Sequence, residues 1–264
     1  MDHLKRGDDT VALHRYGARG PQVLILPALG VAAAYYRPFA QELTDQGMQV
    51  AVLDWRGHGD STPAVSRASD HGYLDLVGDV DAAVAHLGGE VTVIGHSLGG
   101  QIGLLAAATG ASGIARIVLV AVGLPYFRDY SGLFRVILLP YSQAIGAVSA
   151  LLGVWPGWTF GGRQAATLMR DWAATARTAR FPLLNGADPN PAVGQLRLPV
   201  LAVVVDNDGF TPRATMARLI DRMPNAHVQW LDYTDELAGG HVDHIKWVRN
   251  SGVLAARIAQ FVGP

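Results

Sequence analysis

Apolar and polar residues are arranged along the chain in two kinds of pattern, one typical of buried strands and one typical of helices. Unbroken apolar runs at 23–26, 50–53 and 200–205 are typical of strands that are buried on both faces of a sheet. Residues 73–87 instead carry apolar side chains every three or four positions, which predicts an amphipathic helix. Further strands are predicted over 10–16, 91–94, 114–122 and 227–231, and further helices over 33–46, 101–109, 213–223 and 246–261. This alternation favours an α/β fold, a doubly wound and mostly parallel sheet flanked by helices.

The alternation is interrupted between residues 124 and 198. This block is rich in aromatic, proline and glycine residues, and it shows helical patches such as 164–179 but no clean strand. Because the rhythm of strands and helices resumes at Pro199, we interpret the block as an insertion into one sheet rather than an independent domain. The core domain then comprises residues 1–123 and 199–264.

The most informative stretch is VTVIGHSLGG, residues 91–100. Gly95, Ser97 and Gly99 fit the pattern G-x-S-x-G between a predicted strand and a predicted helix, which is the context of a nucleophile elbow. We expect side chains at the two glycines to clash with the neighbouring strand and helix. We predict Ser97 as the nucleophile and the Leu98 N–H as one donor to an oxyanion. The alternative is an ordinary glycine-rich turn with a capping serine.

A serine nucleophile requires a base and a carboxylate that orients the base. In this architecture such groups gather beyond the carboxyl ends of the strands. Asp206 and Asp208 follow one late strand; we predict Asp208 as the orienting residue and interpret Asp206 as a turn aspartate. His241 and His244 follow the next strand; we predict His241 as the base and interpret His244 as a surface or cap-contacting histidine. The chain order of serine, aspartate and histidine is the one expected for an elbow nucleophile.

The remaining candidates near this site concern the oxyanion and a metal. A second oxyanion donor is expected in the loop after the first buried strand, at the N–H of Leu29. A metal site that includes Asp243 and His244 is an alternative, but nothing else in the sequence supplies ligands for it. We therefore predict no metal and no cofactor.

Composition narrows the classes of function. Half of the 264 residues are hydrophobic, 16% are charged and the net charge is −1, so we expect a globular domain and no nucleic-acid partner. The absence of cysteine excludes disulfides, thiolate metal sites and a cysteine nucleophile. The polar N-terminal stretch MDHLKRGDDT lacks the apolar region of a secretory signal, so we expect a cytoplasmic location.

Residues 136–155 are uncharged over twenty positions, which is the length of a membrane-spanning helix. Pro140 interrupts the run. The run also lies between Ser97 and the candidates Asp208 and His241, so a span would divide one site between two sides of a bilayer. We therefore expect helices that cover a pocket and no stable membrane span, with contact to a membrane surface as the alternative.

Three motifs resemble those of the α/β-hydrolase superfamily, and the match covers nearly the whole chain outside the insertion. They are Asp54-x-Arg56-Gly57-x-Gly59-x-Ser61, Gly95-His96-Ser97-Leu98-Gly99-Gly100, and Asp208 through Pro212 followed by Gly240-His241. Trp155-Pro156-Gly157 and Asp171-Trp172 look like a cap-bearing bacterial group of predicted α/β hydrolases, similar to serine esterases. The chain departs from the common patterns at Pro27-Ala28, where many members carry His-Gly, and at 243–246, where the subgroup often reads Gly-Phe-Phe-Arg.

The resemblance implies that 124–198 is a helical cap between the sixth and seventh core strands, with aromatic residues that line or roof a pocket. The residues selected as substrate-binding are Tyr126, Trp155, Trp158 and Trp172. An apolar roof above a serine nucleophile favours an apolar acyl group. Six arginines of the insertion, from Arg128 to Arg180, could instead meet a carboxylate or a phosphate, or lie on solvated faces.

We expect a cofactor-free serine hydrolase that cleaves an ester or thioester of a small to medium apolar acyl group through an acyl-Ser97 intermediate. One alternative is an acyltransferase, or a lyase or cyclase of a biosynthetic pathway, that uses the same site. Another is a non-catalytic protein of the same fold that binds a small molecule. The expected partner is a small apolar acyl substrate, and a homodimer is left open.

Overall fold

The computed structural model describes residues 1–263, which contain one sheet of eight strands and a separate two-stranded ribbon. The strands are β1 (Asp2–Arg6), β2 (Asp9–Tyr16), β3 (Gln22–Leu26), β4 (Gln49–Leu53), β5 (Val91–His96), β6 (Ile114–Val120), β7 (Val154–Trp155), β8 (Gln164–Ala165), β9 (Pro199–Val205) and β10 (His227–Tyr233). The helices are α1 (Arg37–Asp45), α2 (Tyr73–Leu87), α3 (Leu98–Thr109), α4 (Gly132–Leu152), α5 (Ala166–Thr178), α6 (Asn190–Val193), α7 (Arg213–Ile220), α8 (Asp235–Ala238) and α9 (Gly252–Val262).

The strand order across the large sheet is β1-β2-β4-β3-β5-β6-β9-β10. The six strands from β4 to β10 in this order run parallel, whereas β1 and β2 at one edge are antiparallel. The prediction of a doubly wound, mostly parallel α/β sheet is thus confirmed. The strand β1 was missed because its sequence, DHLKR, buries only Leu4 and so carries no apolar signal.

Helices cover both faces of the sheet, as apolar strands buried on two sides require. One hydrophobic cluster lies between one face of the sheet and the helices α2 and α3. A second lies between the opposite face and the helices α1 and α9. Because the central strands are parallel and in register, their carboxyl ends meet at a single edge. The loops after β3, β5, β9 and β10 therefore lie near one another.

The turn that follows β4 is stabilised by side chains of its own motif. The Asp54 carboxylate accepts the N–H of Ala33 at 2.6 Å and the N–H of Asp60 at 3.0 Å. The Arg56 guanidinium pairs with the buried Asp79. The motif that starts at Asp54 therefore stabilises the fold, because its charged side chains are bonded to neighbouring groups.

Between β6 and β9 the chain leaves the sheet and forms the segment that we call the insertion, residues 124–198. Its two long helices, α4 and α5, pack against each other next to the β7–β8 ribbon. They enclose a small apolar cluster of their own, which includes Leu138, Ile145 and Met169. The helical patch predicted from the sequence corresponds to α5.

The helix α4 is exceptional among the described residues for its length and apolar surface. It has 21 residues, contains Pro140, and is long and apolar enough to cross a membrane, with a mean hydropathy of 1.4 over an 18-residue window of which 28% is buried. Leu138 and Ile145 on its buried side contact the cluster inside the insertion. Leu133 and Val136 are largely exposed.

Candidate active site

Ser97 occupies a strained turn between the end of β5 and the start of α3. Its backbone has φ 52° and ψ −117°, a conformation that costs a residue other than glycine about 1–3 kcal/mol. A Cβ on Gly95 would lie 2.2 Å from the Cα of Gly100. A Cβ on Gly99 would lie 2.1 Å from the carbonyl oxygen of Leu26 in the neighbouring strand. Glycine is therefore required at both positions for the turn to form.

His244 lies between Ser97 and Asp208. Its Nε2 is 3.1 Å from Ser97 Oγ, and its Nδ1 is 2.8 Å from Asp208 Oδ2. The serine follows β5, the aspartate follows β9, and the histidine comes from the loop after β10 and α8. The carboxyl edge of the sheet thus brings together a serine hydroxyl, an imidazole and a carboxylate in the geometry used for acyl transfer.

The structure contradicts the prediction that His241 is the base. Its side chain is 53% exposed, with Nδ1 3.4 Å from Asp235 and Nε2 3.7 Å from Asp243, both away from the serine. The interpretation of His244 as a surface or cap-contacting histidine is equally wrong, since only 12% of its side chain is exposed.

The path of the loop explains why the later histidine reaches the serine. The N–H of Val242 donates to Asp235 Oδ1 at 2.7 Å, and the Val242 side chain is buried, which leaves His241 facing solvent. The Asp243 carboxylate then accepts the N–H groups of the two residues after His244, at 2.9 and 2.8 Å. These contacts fold the chain into a turn that directs His244 inward.

The carboxylate of Asp208 is almost completely buried, with 1% of its side chain exposed. Burial by itself would raise its pKa, but hydrogen bonds from His244 and Thr211 outweigh that effect and lower the pKa below its usual value. The N–H groups of Phe210 and Thr211 both donate to Oδ1 at 2.8 Å. Asp208 therefore stays charged and can orient an imidazole. Asp206 instead accepts a backbone N–H at the start of α8.

His96, next to Ser97 in the sequence, contacts the backbone of His244. Its Nε2 is 2.8 Å from the carbonyl oxygen of His244. Because a carbonyl can only accept, Nε2 carries the proton, and Nδ1 accepts from the Tyr36 hydroxyl at 2.7 Å. That hydroxyl in turn accepts the N–H of Ala28 at 2.9 Å. Burial lowers the pKa of His96 well below its usual value, so the ring is neutral.

The two predicted oxyanion donors lie in segments that adjoin Ser97. Leu98 begins α3 directly after Ser97, and Leu29 lies in the loop after β3. Within residues 1–263, no protein acceptor takes the backbone N–H of either residue. The insertion covers the same loop, because a Cβ on Gly30 would lie 2.0 Å from the carbonyl oxygen of Gly161.

A cavity of about 320 Å³ opens above the serine, and we call it the acyl cavity. Ser97, Gln101 and His244 line it from the core. The insertion supplies aromatic and aliphatic walls, namely Tyr130, Phe134, Ile137, Leu138, Tyr141, Phe160 and Trp172. Phe210, from the loop that carries Asp208, completes it, with its ring centroid 5.2 Å from that of His244. The cavity has the size and apolar lining of a small-molecule site.

Three of the four aromatic residues predicted to bind substrate lie outside this cavity, which contradicts those predictions. Trp155 is buried in the core of the insertion, where its Nε1 donates to a backbone carbonyl at 2.8 Å. Trp158 is 69% exposed, and Tyr126 packs beneath the Arg218 guanidinium at 4.8 Å. Of the four, Trp172 alone lines the acyl cavity.

Charged groups are absent from the described lining of the acyl cavity, apart from the histidine that can become charged. The arginines of the insertion thus do not face the serine. One group among residues 1–263 has donor atoms close enough to share a metal ion, namely His14, Asp54 and Asp60. The Asp54 oxygens are already engaged by two N–H groups and by His14, so this cluster acts as scaffold.

The sequence matches the family model of the alpha/beta hydrolase fold over residues 21–175. It is 26% identical over 254 residues to N-formylmaleamate deformylase of Pseudomonas putida, covering 92% of this chain and 89% of that protein. It is 28% identical over 237 residues to polyketide synthase ThaQ of Burkholderia thailandensis, covering 80% of this chain but only 11% of that protein. Other relatives include methyl ester esterases.

Solved structures share the architecture. A hydrolase from Pseudomonas aeruginosa PA01 superposes with a TM-score of 0.67 at 17% sequence identity, covering 100% of this chain and 98% of that chain. At this identity the likeness shows the fold alone.

Proposed function

This chain belongs to the α/β-hydrolase family and is an enzyme of that type, and we propose that it is a serine hydrolase of carboxylic esters or thioesters. The observation that carries the proposal is the chain of contacts from Ser97 through His244 to Asp208. Such a chain supplies a nucleophile, a base within hydrogen-bond reach, and a charged group that selects the imidazole tautomer.

In the first half of the proposed reaction, Ser97 Oγ attacks the carbonyl carbon and its proton passes to His244 Nε2. The tetrahedral intermediate collapses, the bond between the carbonyl carbon and the leaving group breaks, and the leaving atom takes the proton from Nε2. In the second half, water attacks the acyl carbon and gives a proton to Nε2. The acid is then released and Ser97 Oγ regains its proton.

The oxyanion formed in both halves requires donors that are already in place. The N–H groups of Leu29 and Leu98 are our candidates because neither is used by another protein group in residues 1–263. Donors of this kind lower a barrier by about 3–4 kcal/mol each. The cost of the strained serine backbone is consistent with a residue retained for chemistry.

The substrate class follows from the acyl cavity. Aromatic and aliphatic walls favour an apolar acyl group, and about 320 Å³ suits a small to medium one. We propose that the insertion acts as a cap that selects this group. A small-molecule partner, a cytoplasmic location and the absence of a membrane span remain predictions from the sequence.

The decisive experiment treats the purified protein with a fluorophosphonate and measures the mass of the intact chain and of its peptides. We expect one adduct per chain, located on Ser97, and none on the Ser97→Ala variant. His244→Ala should slow labelling strongly. An unlabelled wild-type protein, or an adduct that persists in Ser97→Ala, would overturn the proposal and favour a binding protein of this fold.

A further inference from the structure

A second cavity, of about 420 Å³, lies beside the acyl cavity. It shares Gly209, Phe210 and His244 with the acyl cavity, whereas Ser97 lines only the acyl cavity. His244 therefore contacts both spaces, and Phe210 lies between them. We call this second space the exit groove.

The exit groove contains two cationic side chains, Lys246 and Arg249. Both follow His244 on the short helical stretch Lys246–Asn250. The acyl cavity, by contrast, is lined by no lysine or arginine of residues 1–263. The two spaces that meet at His244 thus differ in charge.

The one carboxylate that lines the groove within residues 1–263 offsets the charge of Lys246 but not that of Arg249. Asp243 lies 3.0 Å from the Lys246 ammonium, but it also accepts two backbone N–H groups. These contacts lower the pKa of Asp243 to about 2, although burial opposes them. No side-chain carboxylate in residues 1–263 lies within 4.0 Å of the Arg249 guanidinium. Arg249 is instead a neighbour of the Tyr35 hydroxyl, which donates to the Ile245 carbonyl at 2.9 Å.

The proposed hydrolysis requires a space for the leaving group, and the inference that follows rests on that proposed function. The leaving atom must take its proton from His244 Nε2, so the leaving group passes next to His244. With the acyl chain in the apolar cavity, the exit groove offers a second space that adjoins this histidine. We propose that the groove binds an anionic leaving group, an alcohol or thiol that carries a carboxylate or a phosphate, through Lys246 and Arg249.

The test compares esters that differ only in the charge of the alcohol. Hexanoyl glycolate carries a carboxylate and hexanoyl glycolamide is its neutral match; hexanoyl esters of ethylene glycol phosphate and of its dimethyl phosphate form the phosphate pair. We expect kcat/KM to favour the anion about tenfold at low salt, mainly through KM, and the preference to fall as salt rises. The pair with the larger preference identifies whether carboxylate or phosphate is the group bound.

Arg249→Gln should reduce the preference at least fivefold and leave hydrolysis of the neutral esters unchanged, and Lys246→Gln should act in the same direction. Arg170→Gln is the matched control, since Arg170 is exposed on α5 and lies outside both cavities. A wild-type enzyme that hydrolyses both members of each pair equally would overturn the exit-groove proposal but leave the serine hydrolase intact. So would an anion preference that survives in Arg249→Gln.

Binding measured without turnover separates the two proposals. In the Ser97→Ala background, titration with glycolate and with ethylene glycol phosphate should show weak binding that Arg249→Gln abolishes. Binding of neither anion would overturn the groove, whatever the fluorophosphonate experiment shows. Failure of fluorophosphonate labelling alone would overturn the serine mechanism, and with it the assignment of the bound anion as a leaving group.

Discussion

The edge of the sheet that carries Ser97, His244 and Asp208 and the insertion above it are built from different interactions. At the sheet edge, His244 contacts both Ser97 and Asp208, and Asp208 accepts three further hydrogen bonds from the loop that follows it. The walls of the acyl cavity are instead made mostly of apolar contacts, such as the stacked rings of Phe160 and Phe210, 6.2 Å apart, with hydrogen bonds from the hydroxyls of Tyr130 and Tyr141.

The difference separates the chemistry from the choice of substrate. Hydrogen bonds are directional, so they hold the reacting groups to within the small tolerances that acyl transfer needs. Apolar contacts are not directional, so the walls can change in sequence without disturbing the triad. Substitutions in the two regions should therefore produce distinct kinetic signatures.

The largest effect is expected at the base. His244→Ala should lower kcat on p-nitrophenyl butyrate by about 10⁴-fold or more, because nothing else can accept the serine proton. His241→Ala is the control and should change kcat by less than about twofold, since its ring contacts only surface carboxylates. If the two variants exchange these behaviours, the geometry described for the site is not the catalytic one.

A change in the wall should alter selectivity and leave the triad working. Trp172→Leu enlarges the acyl cavity, so we expect the ratio of kcat/KM for octanoyl to butyryl esters to rise about tenfold. Trp158→Leu, outside the cavity and largely exposed, should leave the ratio unchanged. Equal ratios in both variants would mean that the acyl group lies elsewhere.

A smaller effect on the rate is expected at the hydrogen bonds that support His244. Tyr36→Phe leaves the Ala28 N–H and His96 Nδ1 without their shared partner, which should destabilise the fold by about 1–3 kcal/mol. We also expect kcat to fall about fivefold while KM changes little, because the misplaced groups orient the base rather than bind substrate. Urea unfolding and initial rates measure the two effects. Loss of stability at unchanged kcat would make Tyr36 a purely structural residue.

The smallest effect concerns the loop that presents the base. The pKa of Asp243 is lowered to about 2, so its contribution to stability is complete above the usual aspartate pKa of about 4 and is lost as the pH falls towards 2. Asp243→Asn should therefore be less stable than the wild type at pH 7, and the gap should narrow below pH 4. Urea midpoints between pH 7 and pH 3 test this. A gap that stays constant over this range would contradict the assigned pKa.

The predicted elements were accurate where one physical rule dominated. Runs such as 23–26 and 50–53 became buried parallel strands because a strand covered on both faces has no polar position. The strand β1 escaped detection because an edge strand at the surface needs no apolar pattern. The helix over 33–46 came out as a 3₁₀ turn, Ala33–Tyr36, followed by α1, which starts with Pro38 in its first turn.

The choice between His241 and His244 shows what the local sequence pattern could not predict. Both histidines lie in the loop after β10 and α8, three residues from each other, and the pair Gly240-His241 favoured the earlier one. The signal in favour of the later one was the fully buried Trp247, which anchors the chain just after His244. A similar limit applied to the aromatic residues of the insertion, since composition cannot separate those in its core from those that face the serine.

The sequence by itself determined the α/β sheet, the elbow at Ser97 and the position of Asp208 after a strand, because each depends on neighbours within a few residues. The tertiary structure alone decided which histidine meets the serine, that Trp172 rather than Trp155 faces the cavity, and that Lys246 and Arg249 adjoin the site. Those outcomes depend on how separate segments of the chain pack together, as in the contact between Ser97 and His244, which are 147 residues apart. No local sequence pattern predicts such contacts, because the packing of loops at the edge of the sheet determines them.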